Sequence, residues 1–345
     1  MRDGLIERLA WGPGICAEGY VFELERRGYL QAGSYVPEVV LEHPEVVGQL
    51  HLDLVRAGSD VVEATTYYAH REKLRLIGKE DLLEPLNRQA LEIAKEVALE
   101  SGALFAGDIC NTNTFLDGDP ESARAVRAMF EEQVGWAAEA GVDYVIAETF
   151  FWAEEALIAL DVVKQAGLPA VVTFAIHSNG TSFEGWTPGE ACRRLEAAGA
   201  DVVGLNCLRG PQTMLPLLRE VRGAVSGHVA ALPVPYRTTE VQPTFFALTD
   251  PSSPRAPDHR AFPDALDGLA CTRFEIADFG REAHALGIAY LGVCCGGGPH
   301  HVRSLAEALG RTPPASRYSP DMSKHAFLGT DPQVRREYQE YGERL

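Results

Sequence analysis

The sequence predicts an α/β fold, a parallel barrel of eight βα units, and three observations lead there. A phrase recurs in which a charged helical stretch ends in glycine and a short apolar run follows: "RAGSDVVEATTYY", "EAGVDYVIAETFF", "AAGADVVGLNCLR" and "ALGIAYLGVCCGG". Glycine just past a helix supplies the left-handed cap, and the apolar run after it is a strand covered on both faces. Weaker copies, "SGALFAGDICNT", "AGLPAVVTFAIH" and "SGHVAALPVPY", fill the gaps, and "GPGICAEGY" opens the series. Amphipathic segments such as "EPLNRQALEIAKEVALE" and "ESARAVRAMFEEQVGWAAEA" lie between them. Strands alternating with helices in this way are expected to close into a (β/α)8 TIM barrel. A doubly wound open sheet is the alternative, because periodicity does not give strand order; no glycine-rich dinucleotide fingerprint follows the first strand to support it.

In chain order the strands are expected near residues 14–17, 60–66, 103–109, 143–148, 169–176, 201–207, 228–233 and 288–294. Residues 237–270, rich in proline and polar side chains, read as a long loop over the carboxyl face after the seventh strand. The barrel is expected to occupy residues 1–310 and a C-terminal extension residues 311–345. The extension carries prolines and then a charged helix in "DPQVRREYQEYGERL", whose tyrosines and arginines suit contact with a second copy of the chain, so a homo-oligomer is expected.

A 345-residue chain that is 46% apolar can fill a sizeable core. Its 49 acids against 31 lysines and arginines leave a formal charge of −18, spread along the chain. That balance repels phosphate backbones and anionic lipid, so neither a nucleic acid nor a membrane partner is expected. No apolar run approaches the ~20 residues that span a bilayer. The start, "MRDGLIERLAWG", has acids where a signal peptide needs a basic and then an apolar region, which points to the cytoplasm. Seven cysteines are an odd number, in a chain with no export signal, and argue against a disulfide framework. Reduced thiols are then available for metal binding or catalysis.

Barrel enzymes place their chemistry at the carboxyl ends of strands. The residues expected there are Ala17 and Glu18, Glu63 to Tyr68, Asp108 to Asn111, Glu148, His177, Asn206 and Cys207, Pro233 to Tyr236, and Cys294 with Cys295. Strands six and eight are near neighbours in a closed barrel, so Cys207, Cys294 and Cys295 converge on one rim. Three thiolates there make a tetrahedral zinc site with one position open, and the surplus negative charge keeps the fourth ligand electron-rich. Two adjacent thiols in "YLGVCCGGGPHH" thus supply two corners of a site completed from another strand. Cys16, Cys110, Cys192 and Cys271 read as small apolar core residues. A vicinal disulfide is the competing account of the pair, opposed by the compartment. The glycine run alone is a weak signal for a phosphate loop. His300 and His301 follow at a helix start, as solvated or capping residues.

At these residues the chain resembles the homocysteine S-methyltransferase family, whose signature pairs an "N-C" strand end with a later "G-G-C-C-G". The two elements here read "GLNC" (204–207) and "GVCCG" (292–296). Within the family it is most similar to the betaine-homocysteine S-methyltransferase branch. The similarity runs from "GLIERL" through "YVFELERRGYLQAG", "VRAGSDVVEATTYYAHREKL" and "CTRFEIADFGREAHALGIAYLG" to "PPAS". The resemblance implies a barrel, zinc held by Cys207, Cys294 and Cys295, and methyl transfer from a betaine-like quaternary ammonium to the thiol of homocysteine, giving methionine. It further implies that Glu148, Glu18 and Asn206 bind the acceptor, and that an aromatic cage of Tyr68, Tyr35, Tyr67, Phe151 and Trp186 binds the donor. Tyr68 matches a donor-site tyrosine of the branch, and Tyr35 stands where the branch has a tryptophan.

Two positions depart from the branch. Its "G-D-G-G" after the first strand is "CAEG" (16–19) here, so Ala17 replaces the carboxylate expected to bind the acceptor's amino group, and Glu18 is the compensating acid one residue along. Its "E-Y-F" after the fourth strand is "ETF", which keeps Glu148 and replaces a donor-site tyrosine with Thr149. Two competing readings keep the zinc. One takes the methyl from a sulfonium such as S-methylmethionine, and the other is an onium-binding protein without turnover.

Overall fold

The computed structural model describes residues 3–252 and 258–344. Eight parallel strands form one sheet: β1 (Gly14–Ala17), β2 (Val61–Glu63), β3 (Leu104–Cys110), β4 (Tyr144–Phe150), β5 (Ala170–Phe174), β6 (Val202–Asn206), β7 (His228–Leu232) and β8 (Tyr290–Val293). Their order, β1-β8-β7-β6-β5-β4-β3-β2, pairs sequence neighbours throughout and brings β8 back beside β1, with Gly14 opposite Tyr290 and Ala17 opposite Val293. Each strand is followed by an outer helix, at Pro44–Ala57, Leu83–Ser101, Pro120–Ala140, Ala153–Gln165, Pro188–Ala197, Pro211–Ala224, Arg273–Ala285 and Pro299–Ala308. Five of these begin with proline, whose missing N–H costs nothing in the first turn. Leu83–Ser101 shows why such segments cover the sheet: Leu86, Ala90, Ala94 and Val97 recur at three- and four-residue spacing and are all buried.

The recurring "G-x-D" of the repeat has a structural role. Asp60 donates its backbone N–H to Ile15 O at 2.8 Å and accepts the Ile15 N–H on Oδ2 at 2.8 Å. Asp143 brackets Phe105 in the same way, at 2.7 and 2.8 Å, and Asp201 brackets Ala170 at 3.0 and 2.8 Å. Each aspartate therefore satisfies both backbone groups of the residue at the start of the preceding strand, where the ladder would otherwise begin unpaired. At β1 and β2 this is also how the barrel closes, since the Asp60 bracket fastens the one seam where the ladder is not continued. Arg311 lies against the same carboxylate at 2.6 Å and donates to Pro13 O as well, so the chain just after the helix Pro299–Ala308 is tied to the barrel's seam. The open-sheet alternative is excluded by this closure.

The strands are buried except for the first residues of β1 and β7, Gly14 and His228, which are partly exposed, and inside the barrel the hydroxyls of Tyr144 and Tyr290 meet at 2.9 Å. The long loop after β7 is present as expected, with short 3-10 turns at Phe245–Ala247 and Asp267–Leu269; its residues 253–257 lie outside the described residues, as do 1, 2 and 345. The charged C-terminal helix is shorter than "DPQVRREYQEYGERL" suggests. It spans Arg336–Gly342 and buries none of its side chains, so nothing within the chain extends it. Among the described residues no helix is long and apolar enough to cross a membrane.

Candidate active site

The turn after β8 is built to present two adjacent cysteines. Gly296 has φ +89°, and a Cβ there would meet the Tyr236 hydroxyl at 2.3 Å. Arg26 donates to that hydroxyl at 3.0 Å and to Gly296 O at 3.3 Å, which fixes the turn from behind. From the end of β6, Cys207 reaches the pair: its Sγ lies 3.8 Å from Cys295 Sγ, and Cys294 Sγ lies 3.9 Å from Cys295 Sγ. All three sulfurs fall within 4.8 Å of one another. Thiolates about 2.3 Å from a tetrahedral zinc lie about 3.8 Å apart, so the triad fits the ion. Hydrogen bonding with Cys294 and Cys295 holds Cys207 well below the ordinary thiol range, whereas burial pushes Cys294 up.

Beside the sulfurs lies a buried acidic cluster joined by Asn206. Its Nδ2 donates to Glu18 Oε2 at 3.2 Å and to Glu148 Oε2, and it lies 3.8 Å from Cys294 Sγ. Thr149 donates its hydroxyl to Glu148 Oε2 at 2.9 Å and its N–H to Asn206 Oδ1 at 3.0 Å. A register shift in β4 between Ala147 and Phe150, with Thr149 at φ +61°, turns these groups to the same side. The chain's own Glu18 thus points into the site, while Ala17 offers no polar atom. Glu63 and Asp108 extend the cluster, sharing the hydroxyl of Tyr20 at 3.5 and 2.8 Å. Burial raises the carboxyls of Glu18 and Asp108 to about 8 and those of Glu63 and Glu148 well above the usual range. Glu18 Oε1 and Asp108 Oδ1 are buried without a hydrogen-bond partner. What the cluster lacks, among the described residues, is a cation.

On the other side of the sulfurs is an aromatic cavity. Tyr35, Tyr67, Tyr68 and Phe151 line it, as expected, together with Phe22, Phe245, Phe246 and Phe262, and Cys207, Cys295 and Thr149 complete its wall. Phe22 stacks on Tyr35 at 5.6 Å, and Tyr67 packs tilted against Tyr68 at 4.3 Å. Trp186 is not part of it. The Arg194 guanidinium covers its ring at 3.6 Å, on the outer helix Pro188–Ala197. Sequence reasoning missed the three phenylalanines of the long loop; the one signal was the apolar pair in "EVQPTFFALT", out of place in a polar stretch. It also missed Tyr20, and it recorded Glu63 and Asp108 as strand-end residues with no role. His301 caps its helix at Gly298 N with Nδ1 and faces Cys271 O with Nε2 at 3.0 Å, while His300 is exposed.

The site's backbone is strained where its side chains matter. Tyr35, Tyr68, Thr149, Cys207 and Leu208 all have φ between +48° and +61°, a region L-residues occupy only when the surroundings impose it.

A homocysteine S-methyltransferase family model matches residues 18–309. The chain is similar to betaine-homocysteine S-methyltransferase 1 of Xenopus tropicalis, at 37% identity over 359 aligned positions that cover 100% of this chain and 86% of that protein. It is similar to S-methylmethionine-homocysteine S-methyltransferase BHMT2 of Pongo abelii at 36% identity, covering 100% of this chain and 93% of that protein. Among solved structures, the metallated form of the homocysteine methyltransferase MmuM from Escherichia coli superposes with a TM-score of 0.66 at 19% identity, over 85% of this chain and 95% of that one. That last likeness concerns the fold.

Proposed function

Since the chain belongs to the homocysteine S-methyltransferase family, we propose that it transfers a methyl group from a betaine-like quaternary ammonium to the thiol of homocysteine, with zinc held by Cys207, Cys294 and Cys295. The observation that carries this reading is that Cys207 and Cys295 belong both to the thiol triad and to the wall of the aromatic cavity. An onium methyl in that cavity faces the position at which a thiol completes the triad. When bound, zinc would supply a lowered thiol pKa and a fixed thiolate nucleophile.

The remaining work falls to the chain's own residues. The faces of Tyr35, Tyr67 and Phe151 attract the cationic head, and Phe245 and Phe262 shut water out. The methyl carbon exchanges its bond to nitrogen for one to sulfur, and nitrogen keeps the electron pair, so the leaving amine is neutral and no general acid is required. Glu148 and Glu18 meet the acceptor's ammonium, the cation their cluster lacks, and Asn206 holds the two acids in position.

A second reading, with S-methylmethionine as donor, is favoured by Thr149. Where the branch has a tyrosine, this chain places a side chain engaged with Glu148 and Asn206. The test is turnover of the zinc-loaded protein with homocysteine and either glycine betaine or S-methylmethionine, read by product mass. Methionine from betaine supports the first reading, methionine from S-methylmethionine alone the second, and binding without product would leave an onium-binding protein. We further propose that residues 311–345, which expose Tyr318, Met322, Leu328 and Tyr341, carry contacts between copies of the chain.

A further inference from the structure

Resting on the reading of homocysteine as the acceptor, we propose that a column of buried side chains along the barrel axis, Glu63, Cys16, Tyr290 and Tyr144, passes the acceptor thiol's proton from the site to the amino face of the barrel.

The column is continuous. Tyr20 donates to Asp108 Oδ2 at 2.8 Å and reaches Glu63 Oε1 at 3.5 Å. The Cys16 thiol donates to Glu63 Oε2 at 3.9 Å and is hydrogen-bonded to the Tyr290 hydroxyl. That hydroxyl lies 2.9 Å from the hydroxyl of Tyr144. Glu63 ends β2 and Asp108 lies near the end of β3, whereas Tyr144 and Tyr290 are the first residues of β4 and β8. The line therefore runs from the acidic cluster down the barrel to its other end, where Tyr290 borders a second cavity with Pro13, Asp60 and Arg311. Its upper end adjoins the triad. Ligand atoms of Cys16, Glu18 and Glu63 lie within 4.8 Å of one another, and so do those of Glu18, Glu148 and Cys294.

Methyl transfer leaves a proton to place. When the acceptor becomes a thiolate its S–H bond breaks, sulfur keeps the electron pair, and a carboxylate of the cluster takes the proton. Substrate and the phenylalanines of the long loop cover the carboxyl face, which leaves the amino face as the way out. Each hydroxyl, thiol and carboxyl in the line gives one proton and takes another. A proton entering beside the triad thus drives another out at the amino face, and no group has to cross the core. All of these side chains are buried. Branched apolar residues fill the interior of a barrel without the cost of burying polar groups, so an unbroken polar line along the axis has a use beyond packing.

Stopped-flow mixing of the zinc-loaded full chain with saturating homocysteine and no donor, in weak buffer with a pH indicator, reads the proton as it reaches solvent. The wild type is expected to release it on binding. Cys16→Ala and Tyr290→Phe should slow the release by about tenfold or more, the effect of a barrier raised by one lost hydrogen bond, without changing its extent. Cys16→Ser keeps a group that passes protons and should restore the rate. Cys192→Ala removes a buried thiol outside the column, one that faces Gly204 O, and should behave as wild type. An unchanged rate in both Cys16→Ala and Tyr290→Phe, or equal slowing in Cys16→Ser, overturns the column and leaves the acceptor reading standing on the wild-type binding. Homocysteine binding without proton release overturns the column as well. A wild type that shows no homocysteine binding by calorimetry overturns the acceptor reading itself.

Discussion

Asn206 Nδ2 donates to Glu18 Oε2 at 3.2 Å, so the acid one residue past Ala17 is joined to the residue just before Cys207. This bond aims a carboxylate into the site from the residue just after β1, where Ala17 has none. Glu18→Gln is expected to raise KM for homocysteine roughly 10- to 100-fold, the worth of a hydrogen bond to a charged group. Glu148→Gln should act in the same direction. Steady-state kinetics at fixed donor checks both, and an unchanged KM in both variants would mean that the acceptor lacks that amino group.

Removing one corner of the thiol triad should abolish metal binding. Cys295→Ser is expected to lose zinc, by elemental analysis, and turnover by at least ~100-fold, more than the loss of a supporting residue around a metal typically costs. Full zinc retention with full turnover would refute the ligand set.

The cavity and the excluded tryptophan give a paired test. Tyr67→Leu and Phe151→Leu are expected to raise KM for the donor roughly 2- to 30-fold, the range for one aromatic face on a cation. Trp186→Leu should leave it unchanged, because Arg194 already covers that ring. The reverse ranking would place the donor elsewhere.

The acidic cluster makes folding pH-dependent in a definite direction. Burial raises Asp108 from 3.8 to about 8, so between those values the folded chain keeps a proton that the unfolded chain releases. Its contribution is therefore most favourable below about pH 4 and is lost as pH rises to about 8. Asp108→Asn, which still accepts from Tyr20, should shrink the fall in stability from pH 5 to pH 8 by on the order of a few kcal/mol. Urea unfolding of the zinc-free protein at the two pH values measures it. An identical fall in both proteins would contradict the assignment.

Self-association is expected to depend on the C-terminal extension. Leu328→Glu combined with Tyr341→Glu places charge on two exposed apolar side chains and should lower the mass in solution. Sedimentation of wild type and variant decides, and a wild-type monomer at micromolar concentration would end the proposal.

Much of this was legible in the sequence because it is local or repeated. Glycine caps and apolar runs gave all eight strands to within a few residues, and the "G-x-D" phrase was visible although its bracketing role was not. The thiol triad was legible because closing the barrel brings β6 and β8 near each other whatever the loops do. The cage was only half legible. Tyr67 and Phe151 follow strands directly, whereas Phe245, Phe246 and Phe262 reach the cavity from a long loop whose path no periodicity encodes. Trp186 misled for the converse reason: it lies in a loop after β5, but its ring turns outward to Arg194.

The left-handed residues of the site bear on how this protein would respond to selection. Tyr35, Tyr68, Thr149, Cys207 and Leu208 each occupy a conformation that glycine or asparagine adopts at less cost. Directed evolution for heat resistance alone would be drawn to these codons, since relaxing the backbone there stabilises the fold. Such gains at Tyr35, Tyr68, Thr149 and Cys207 would remove a ring, a hydroxyl or a thiol from the candidate site, and at Leu208 part of the cavity lining. A library screened for durability without a parallel screen for turnover would therefore be expected to yield robust, inert barrels, with their changes concentrated where the native chain tolerates strain.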